Sequence, residues 1–182
     1  MVLFENFNEI RNLCQKYGIK NYNIDSDGTI DVDGDVDLND KQLTKLPVKF
    51  RNVGGHFWCE NNELTALLGA PLRVDGDFSC DGNNLTTLLG SPQSVSGGFW
   101  CGYNKLTTLE GAPKSVGGGF YCPRNPFDVI RYMFPHSKEF YNANKEWDFF
   151  AGGNKIRKLR FKEALLDYDI QLPESIPGYE YI

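Results

Sequence analysis

The chain has 182 residues, 41% of them hydrophobic and 24% charged, which is the size and composition of one domain with its own core. Its net charge is −5, so the chain as a whole lacks the positive surface with which proteins bind duplex DNA or anionic membranes. No apolar run reaches the roughly 20 residues of a membrane span, and charged residues interrupt the N-terminal segment where a signal peptide needs an apolar stretch. We therefore expect a cytoplasmic protein that contacts no membrane and for which nucleic-acid binding is not favoured.

Residues 1–31 are expected to form a cap over the start of the domain. Apolar residues recur at helical spacing over Leu3–Tyr17, and Gly18 follows where a helix would end. Strand-like alternation then continues on both sides of a turn-forming segment, Asp25–Gly28. The pattern predicts an amphipathic helix followed by a β-hairpin.

The segment from Asp25 to Asp40 is acidic, with seven Asp and no Lys or Arg. The order of residues 31–35 suggests a calcium loop, but an EF-hand needs Gly after its third acidic ligand and Glu at its twelfth position, where this chain has Val36 and Gln42. Asp alternates with apolar residues here, which is typical of a strand with one acidic face. We predict no metal site, and an acidic face that attracts a basic partner.

Residues 32–130 consist of a repeat of 21 residues, which is plainest in the spacing of the cysteines. The same spacing relates columns of Phe, Asn, Leu, Pro, Val and Gly, and a degraded copy extends it upstream to give about five units. Three of the columns are Cys59, Cys80, Cys101 and Cys122; Phe57, Phe78, Phe99 and Phe120; and Asn62, Asn83, Asn104 and Asn125.

Each unit reads V-x-G-x-F-x-C-x-x-N-x-L-T-x-L-x-G-x-P, which resembles a leucine-rich repeat with Phe and Cys at the inward strand positions. Strand residues alternate between two faces, so Phe and Cys point inward and the residues between them point outward. The Asn is expected to turn inward and pair with backbone groups. We therefore predict an α/β fold, a leucine-rich-repeat-like β-solenoid of about five coils with a parallel sheet and helical caps at both ends.

The evenly spaced cysteines have two further interpretations, a metal site or a disulfide framework. Metal-binding cysteines usually occur in close pairs such as C-x₂-C, and no such pair occurs in this sequence. Free Cys is a small buried hydrophobe, so we favour core packing in a reducing compartment.

Residues 131–182 are expected to close the other end of the repeats. Asn125 and Pro126 are a favourable N-cap and first residue for a short helix, with Phe127 and Ile130 on one face. Aromatic residues are frequent over residues 137–150, a further helix is predicted over residues 155–168, and the tail from residue 172 is expected to be irregular.

The outward strand positions form the candidate binding surface, which is acidic at its start and aromatic further on. Exposed aromatic rings on a rigid sheet are typical of binding surfaces, because Trp and Tyr dominate interface hot spots. The alternative is that C-terminal residues such as Trp147 or Phe150 fold over these rings and bury them. The candidate partner-binding residues are Trp58, Trp100, Tyr121, Glu60, Asp77, Asp81, His56, Asp35 and Asp37.

A second candidate site is basic and lies in the predicted C-terminal helix. Basic and apolar residues interleave there, which is typical either of a helix that binds RNA or another anionic ligand or of a solvated face over an apolar one. The solvated face is the favoured interpretation. The basic residues are Lys155, Arg157, Lys158, Arg160 and Lys162.

The sequence carries no recognisable catalytic motif. Its two histidines, His56 and His136, belong to no triad, zinc or phosphate signature, and the paired glycines fit the repeat turn. We expect no enzyme activity and no cofactor. A hydrolase or transferase site near His136 is the remaining alternative.

The sequence of residues 104–122 resembles leucine-rich-repeat proteins encoded by large tailed bacteriophages. It reads Asn-Lys-Leu-Thr-Thr-Leu-Glu-Gly-Ala-Pro-Lys-Ser-Val-Gly-Gly-Gly-Phe-Tyr-Cys. The likeness covers about residues 20–125 and brings no catalytic residues. It implies a small accessory protein that acts in the cytoplasm of the infected bacterium. We accordingly expect a non-enzymatic protein-binding module that inhibits a host defence factor or toxin.

Overall fold

Short strands dominate the first two thirds of the chain, and helices lie at both ends. A computed structural model describes residues 2–131, 133–134, 137–147, 149–150 and 155–182. The helices are α1 (Val2–Lys16), α2 (Asp128–Arg131), α3 (Ser137–Trp147) and α4 (Lys158–Leu166). The strands are β1 (Tyr22–Ile24), β2 (Thr29–Val32), β3 (Val36–Asp37), β4 (Lys49–Val53), β5 (Phe57–Trp58), β6 (Arg73–Val74), β7 (Phe78–Ser79), β8 (Ser94–Val95), β9 (Phe99–Trp100), β10 (Ser115–Val116), β11 (Phe120–Tyr121), β12 (Lys155–Ile156) and β13 (Glu180–Tyr181).

The repeated segment forms two parallel sheets in which paired residues are 21 positions apart, except that Thr29 and Ile30 of β2 pair with Lys49 and Phe50 of β4, 20 positions on. The first sheet has the order β2-β4-β6-β8-β10, and β1 joins its edge antiparallel to β2. The second has the order β3-β5-β7-β9-β11, with Phe57 paired to Phe78, Phe78 to Phe99 and Phe99 to Phe120. The fold is thus α/β with parallel strands, consistent with a repeat-like solenoid.

Each unit contributes two strands, whereas the sequence predicted one. The chain bends between the Val column and the Phe column, and glycine at the bend lets neighbouring backbones touch. The amide of Gly76 donates to the carbonyl of Gly55 at 2.8 Å, and a Cβ on Gly76 would lie 2.8 Å from the carbonyl carbon of Gly55. The bend therefore accepts no larger side chain at this position without a backbone shift.

The Phe and Cys columns form the core beneath the second sheet, as predicted. The rings of Phe57, Phe78, Phe99 and Phe120 are stacked with centroids 5.2–5.4 Å apart. All five cysteines of the chain are buried, and none of them forms a disulfide. Burial raises the pKa of the Cys59, Cys80 and Cys101 thiols, which keeps them protonated and unreactive.

The Asn column forms a buried ladder of side-chain hydrogen bonds, as predicted. Asn83 illustrates the pattern: its Oδ1 accepts the amide of Leu64 at 3.0 Å, and its Nδ2 donates to the carbonyls of Cys59 at 2.9 Å and Cys80 at 3.1 Å. Asn62, Asn104 and Asn125 make the corresponding bonds. Each side-chain amide therefore joins two units, and it supplies hydrogen bonds to backbone N–H and C=O groups that have no partner in a neighbouring strand.

The N-terminal part agrees with the sequence-based prediction of a helix and a hairpin. Helix α1 buries Ile10 and Cys14, and the backbone turns away after Lys16. Strands β1 and β2 pair antiparallel, with Ile24 opposite Ile30. No helix in the described part of the chain is both long and apolar enough to span a lipid bilayer.

The C-terminal part departs from the prediction in three ways. The Asn125 side chain belongs to the ladder and does not cap a helix, and α2 begins only at Asp128. The predicted helix over residues 155–168 is a short strand, β12, followed by α4. The tail was expected to be irregular, but it contains β13, which pairs in parallel with β12. An unpaired strand edge such as that of β12 favours the addition of a further strand.

Candidate functional site

The second sheet presents its outward residues on one surface, which we call the outward face. Three outward positions per unit, at the start, middle and end of the strand segment, stack in register with those of the next unit. The outward face consists of residues 35, 37 and 39; 56, 58 and 60; 77, 79 and 81; 98, 100 and 102; and 119, 121 and 123.

The middle column of the outward face carries the three predicted aromatic residues. The Trp100 and Tyr121 rings stack with centroids 5.1 Å apart and planes 16° apart, and the Trp58 ring stacks on His56 at 5.0 Å. Tyr121 is 47% exposed, and both indoles are half-buried. The structure therefore brings Trp100 and Tyr121 together and leaves part of each ring accessible.

Glycines fix the direction in which two of these rings lean. A Cβ on Gly98 would lie 2.4 Å from Cη2 of Trp100, and one on Gly119 would lie 2.4 Å from the ring of Tyr121. The rings therefore lie back over the residue two positions earlier in their own strand segment. Sequence analysis missed this role, although the signal is present as Gly-Gly-Phe followed by an aromatic residue in both units.

The positions of the C-terminal aromatic residues test the alternative that these residues fold over the outward face and bury its rings. Phe150 is buried against Phe127, Phe140 and Phe149, beyond the last unit of the repeats, and it makes no ring contact with Trp58, Trp100 or Tyr121 within the described residues. The ring of Tyr141 stacks on Phe120, which is on the inward side of the sheet. The Trp147 side chain and His136 lie outside the described residues.

The acidic side chains at the ends of the strand segments tie successive units together. The Oδ1 atoms of Asp35 and Asp77 accept the amides of His56 and Gly98, both at 2.7 Å. The Oδ1 atom of Asp81 accepts the amide of Gly102 at 2.6 Å. These residues were predicted only as partner-binding groups, and the structure gives one oxygen of each a structural bond.

His56 and Asp77 face each other at the start of the strand segments. Nδ1 of His56 lies 3.0 Å from the amide nitrogen of Asp77 and 3.2 Å from its Oδ2. The remaining acidic candidates, Asp37 and Glu60, occupy the middle and end columns, where Asp37 accepts the amide of Asn39. Within the described residues, no Lys or Arg pairs with Glu60, Asp77 or Asp81.

The carboxyl group of Asp81 is held in an environment that disfavours its charge. Burial, opposed by the Gly102 amide and reinforced by the neighbouring Glu60 carboxylate, raises the pKa of Asp81 to about 6. A carboxylate whose charge is unfavourable for the fold, and which pairs with no cation in the described part of the chain, is a candidate functional group.

Replacing Asp81 by asparagine is expected to stabilise the protein at pH 7.5 and to have little effect at pH 4. The folded-state pKa is raised, so wild-type stability contributed by this group falls as the pH rises through about 6. The amide of D81N keeps the acceptor for Gly102 and carries no charge. Urea denaturation at both pH values measures the effect, for which we expect a gain on the order of 1–3 kcal/mol at pH 7.5. A loss of stability at pH 7.5 would contradict this assignment.

The basic residues of the second candidate site do not share one helix. Lys155 lies in β12, and Arg157 precedes α4, where its Nη1 donates to the carbonyl of Phe150. Lys158, Arg160 and Lys162 are exposed on α4, whose buried side contains Phe161, Ala164 and Leu165.

No three His, Cys, Asp or Glu side chains among the described residues are arranged to hold a metal ion. A cavity of about 540 Å³ lies between residues 108–114 and α3, and the described residues that line it include Glu110, Lys114 and Arg157 but no His, Cys or Ser.

Comparison of the chain with protein-family models, with curated proteins and with solved structures finds no match.

Proposed function

We propose that this chain is a leucine-rich-repeat-like solenoid whose outward face binds a protein partner without catalysing a reaction. The observation that carries the proposal is the accessible aromatic column of Trp58, Trp100 and Tyr121 on a sheet with a fully packed underside. Aromatic side chains supply large contact area at little cost in side-chain entropy and dominate the energetics of protein interfaces.

The rigidity of the sheet supports this function. Beneath the aromatic column, the stacked Phe rings are fully buried, and the Asn ladder joins each unit to the next. Side chains held in one geometry before binding lose less entropy when a partner docks. The outward face is therefore organised before a partner arrives.

Acidic residues make one part of the outward face suitable for contact with a positively charged partner. Glu60, Asp77 and Asp81 flank the indole rings and have no described Lys or Arg partner. Such a surface increases the association rate of a basic partner by electrostatic steering.

A more specific form of the proposal follows from the resemblance of residues 104–122 to bacteriophage proteins. In this form, the chain acts in the cytoplasm of an infected bacterium and inhibits a host defence factor or toxin by covering part of it. The resemblance is its support, and the partner-binding function stands independently of it.

Capture of a partner from the cells that produce the protein tests the function. The Trp58→Ala/Trp100→Ala double variant should lose at least 90% of the partner that the wild type captures, as measured by quantitative mass spectrometry, because loss of hot-spot residues costs about 2 kcal/mol or more each. Circular dichroism checks that the variant is folded.

A matched control replaces exposed leucines that lie outside the outward face. Leu68 is 74% exposed and Leu89 is 51% exposed, so the Leu68→Ala/Leu89→Ala variant removes accessible apolar area elsewhere. It should capture the partner as the wild type does. Equal capture by both double variants would rule out the outward face as the binding surface.

A further inference from the structure

One position in the aromatic column holds a small residue. Ser79 lies between Trp58 and Trp100 in the strand order and pairs with both, whereas the next two units carry the rings of Trp100 and Tyr121 at this position. It is 2% exposed, and its hydroxyl oxygen has no hydrogen-bond partner among the described residues. A buried hydroxyl without a partner costs about 1–3 kcal/mol, so a polar group that reached it would gain that contact.

Negative charge surrounds this position. Asp77 and Asp81 bracket Ser79 in its own unit, and Glu60 precedes Asp81 in the column at the end of the strand segments. Oδ1 of each Asp accepts a backbone amide of the next unit, which leaves Oδ2 of Asp81 and the carboxylate of Glu60 without a bond to another described residue. Two tryptophans, three acidic residues and Ser79 with its unpartnered hydroxyl thus occupy neighbouring outward positions of three adjacent strand segments.

We propose that this part of the outward face, centred on Ser79 between Trp58 and Trp100, recognises an arginine side chain of the partner. The inference rests on the proposed function and names the chemistry of its central contact. The guanidinium stacks against an indole ring and donates to the Glu60 and Asp81 carboxylates. The unpaired charge and the accessible rings are complementary to a planar cation.

Arginine fits these groups better than lysine does. Its guanidinium is planar, stacks on aromatic faces and presents several N–H donors in a fixed fork, so that one side chain contacts a ring and a carboxylate together. A lysine ammonium is a compact, strongly hydrated charge that lacks this geometry. A neutral analogue with the same shape, citrulline, keeps the stacking contact and loses the charge.

The test uses three peptides, acetyl-Gly-Xaa-Gly-Xaa-Gly-amide with Xaa as arginine, lysine or citrulline, titrated into the ¹⁵N-labelled full chain at pH 7.5. The indole Nε1–H signals of Trp58 and Trp100, assigned with Trp→Phe variants, report binding. We expect the arginine peptide to shift both signals and to bind at least tenfold more tightly than the citrulline peptide, with the lysine peptide between them.

A charge variant and a matched control complete the experiment. Glu60→Gln/Asp81→Asn should weaken arginine-peptide binding at least tenfold, whereas Glu63→Gln/Glu110→Gln, which removes the same charge from exposed positions elsewhere, should weaken it less than twofold. Absence of binding at 10 mM peptide, equal binding of the citrulline peptide, or equal loss in both charge variants would overturn the inference.

These results are separable from those of the capture experiment. If capture depends on Trp58 and Trp100 while the arginine peptide shows no preference, the outward face binds its partner through other chemistry. If the arginine peptide binds as expected while capture is unchanged in the Trp variant, the cation site exists and the proposed function is wrong.

Discussion

Replacing Asn83 by leucine is expected to lower the free energy of unfolding by about 3–5 kcal/mol, since one buried amide loses its acceptor at about 1–3 kcal/mol and two buried carbonyls each lose a hydrogen bond at about 0.5–1.5 kcal/mol. The amide of Leu64 would lose its acceptor, the Asn83 Oδ1 atom at 3.0 Å. The carbonyls of Cys59 and Cys80 would each lose the Asn83 donor, at 2.9 and 3.1 Å, and keep the donor that the Asn62 or Asn104 side chain supplies. Urea denaturation followed by circular dichroism measures the loss. The side chain of leucine has a similar size, so the effect isolates hydrogen bonding.

The adjacent Asn84 provides the matched control. It is half-buried, and its backbone amide, which the substitution leaves in place, donates to the carbonyl of Leu64. Asn84→Leu should change the free energy of unfolding by less than about 1 kcal/mol. A comparable loss in both variants would mean that the Asn ladder does not join the units in the way described.

Replacing Phe78 by alanine is expected to lower the free energy of unfolding by about 3–5 kcal/mol, the usual range for removing a buried ring. Phe78 is fully buried, and its ring stacks between those of Phe57 and Phe99 at 5.4 and 5.2 Å. The substitution leaves a cavity in the middle of the stack that neither neighbour can fill without leaving its own partner. Thermal and urea denaturation measure the loss.

Two comparisons make this prediction specific. Phe78→Leu should cost less than half as much, because most of the buried volume remains. Tyr121→Ala removes an outward ring from the same sheet and breaks its stacking contact with Trp100. Apart from the loss of that contact, the substitution should lower the free energy of unfolding by less than about 1 kcal/mol. A destabilisation by Tyr121→Ala as large as that by Phe78→Ala would assign the outward rings to the core.

The core could be predicted from the sequence because identical residues recur at one spacing. Because Phe, Cys, Asn and Leu each recur every 21 residues, stacking of the units places identical residues of neighbouring units in contact. Burial of the Phe and Cys columns then follows from the alternation of strand residues between two faces. The structure confirms the burial of Phe57 and Cys59, the Asn ladder, the N-terminal helix and the hairpin.

The parts without a repeat were predicted less well. The split of each unit into two strands depends on a backbone bend at Asp75–Asp77, which pattern analysis does not resolve. The pairing of β12 with β13 joins residues about 25 positions apart in sequence and depends on where the chain folds back, which composition does not encode.

The candidate site shows the same division. That Trp58, Trp100 and Tyr121 point outward follows from their alternation with Phe and Cys. The lean of the rings over Gly98 and Gly119, and the missing partner of the Ser79 hydroxyl, depend on side-chain rotamers and neighbouring units. Such features arise from three-dimensional packing and leave only indirect traces in the sequence.

Site-specific photo-crosslinking tests the central claim, that a partner docks on the outward face, most directly. The photoreactive residue p-benzoylphenylalanine replaces Tyr121, which is 47% exposed on that face, or Tyr103, which is 61% exposed in a turn outside both sheets. Irradiation of the producing cells should give a covalent adduct with one partner from position 121 and none from position 103. Adducts from position 103 alone, or equal adducts from both positions, would contradict the account.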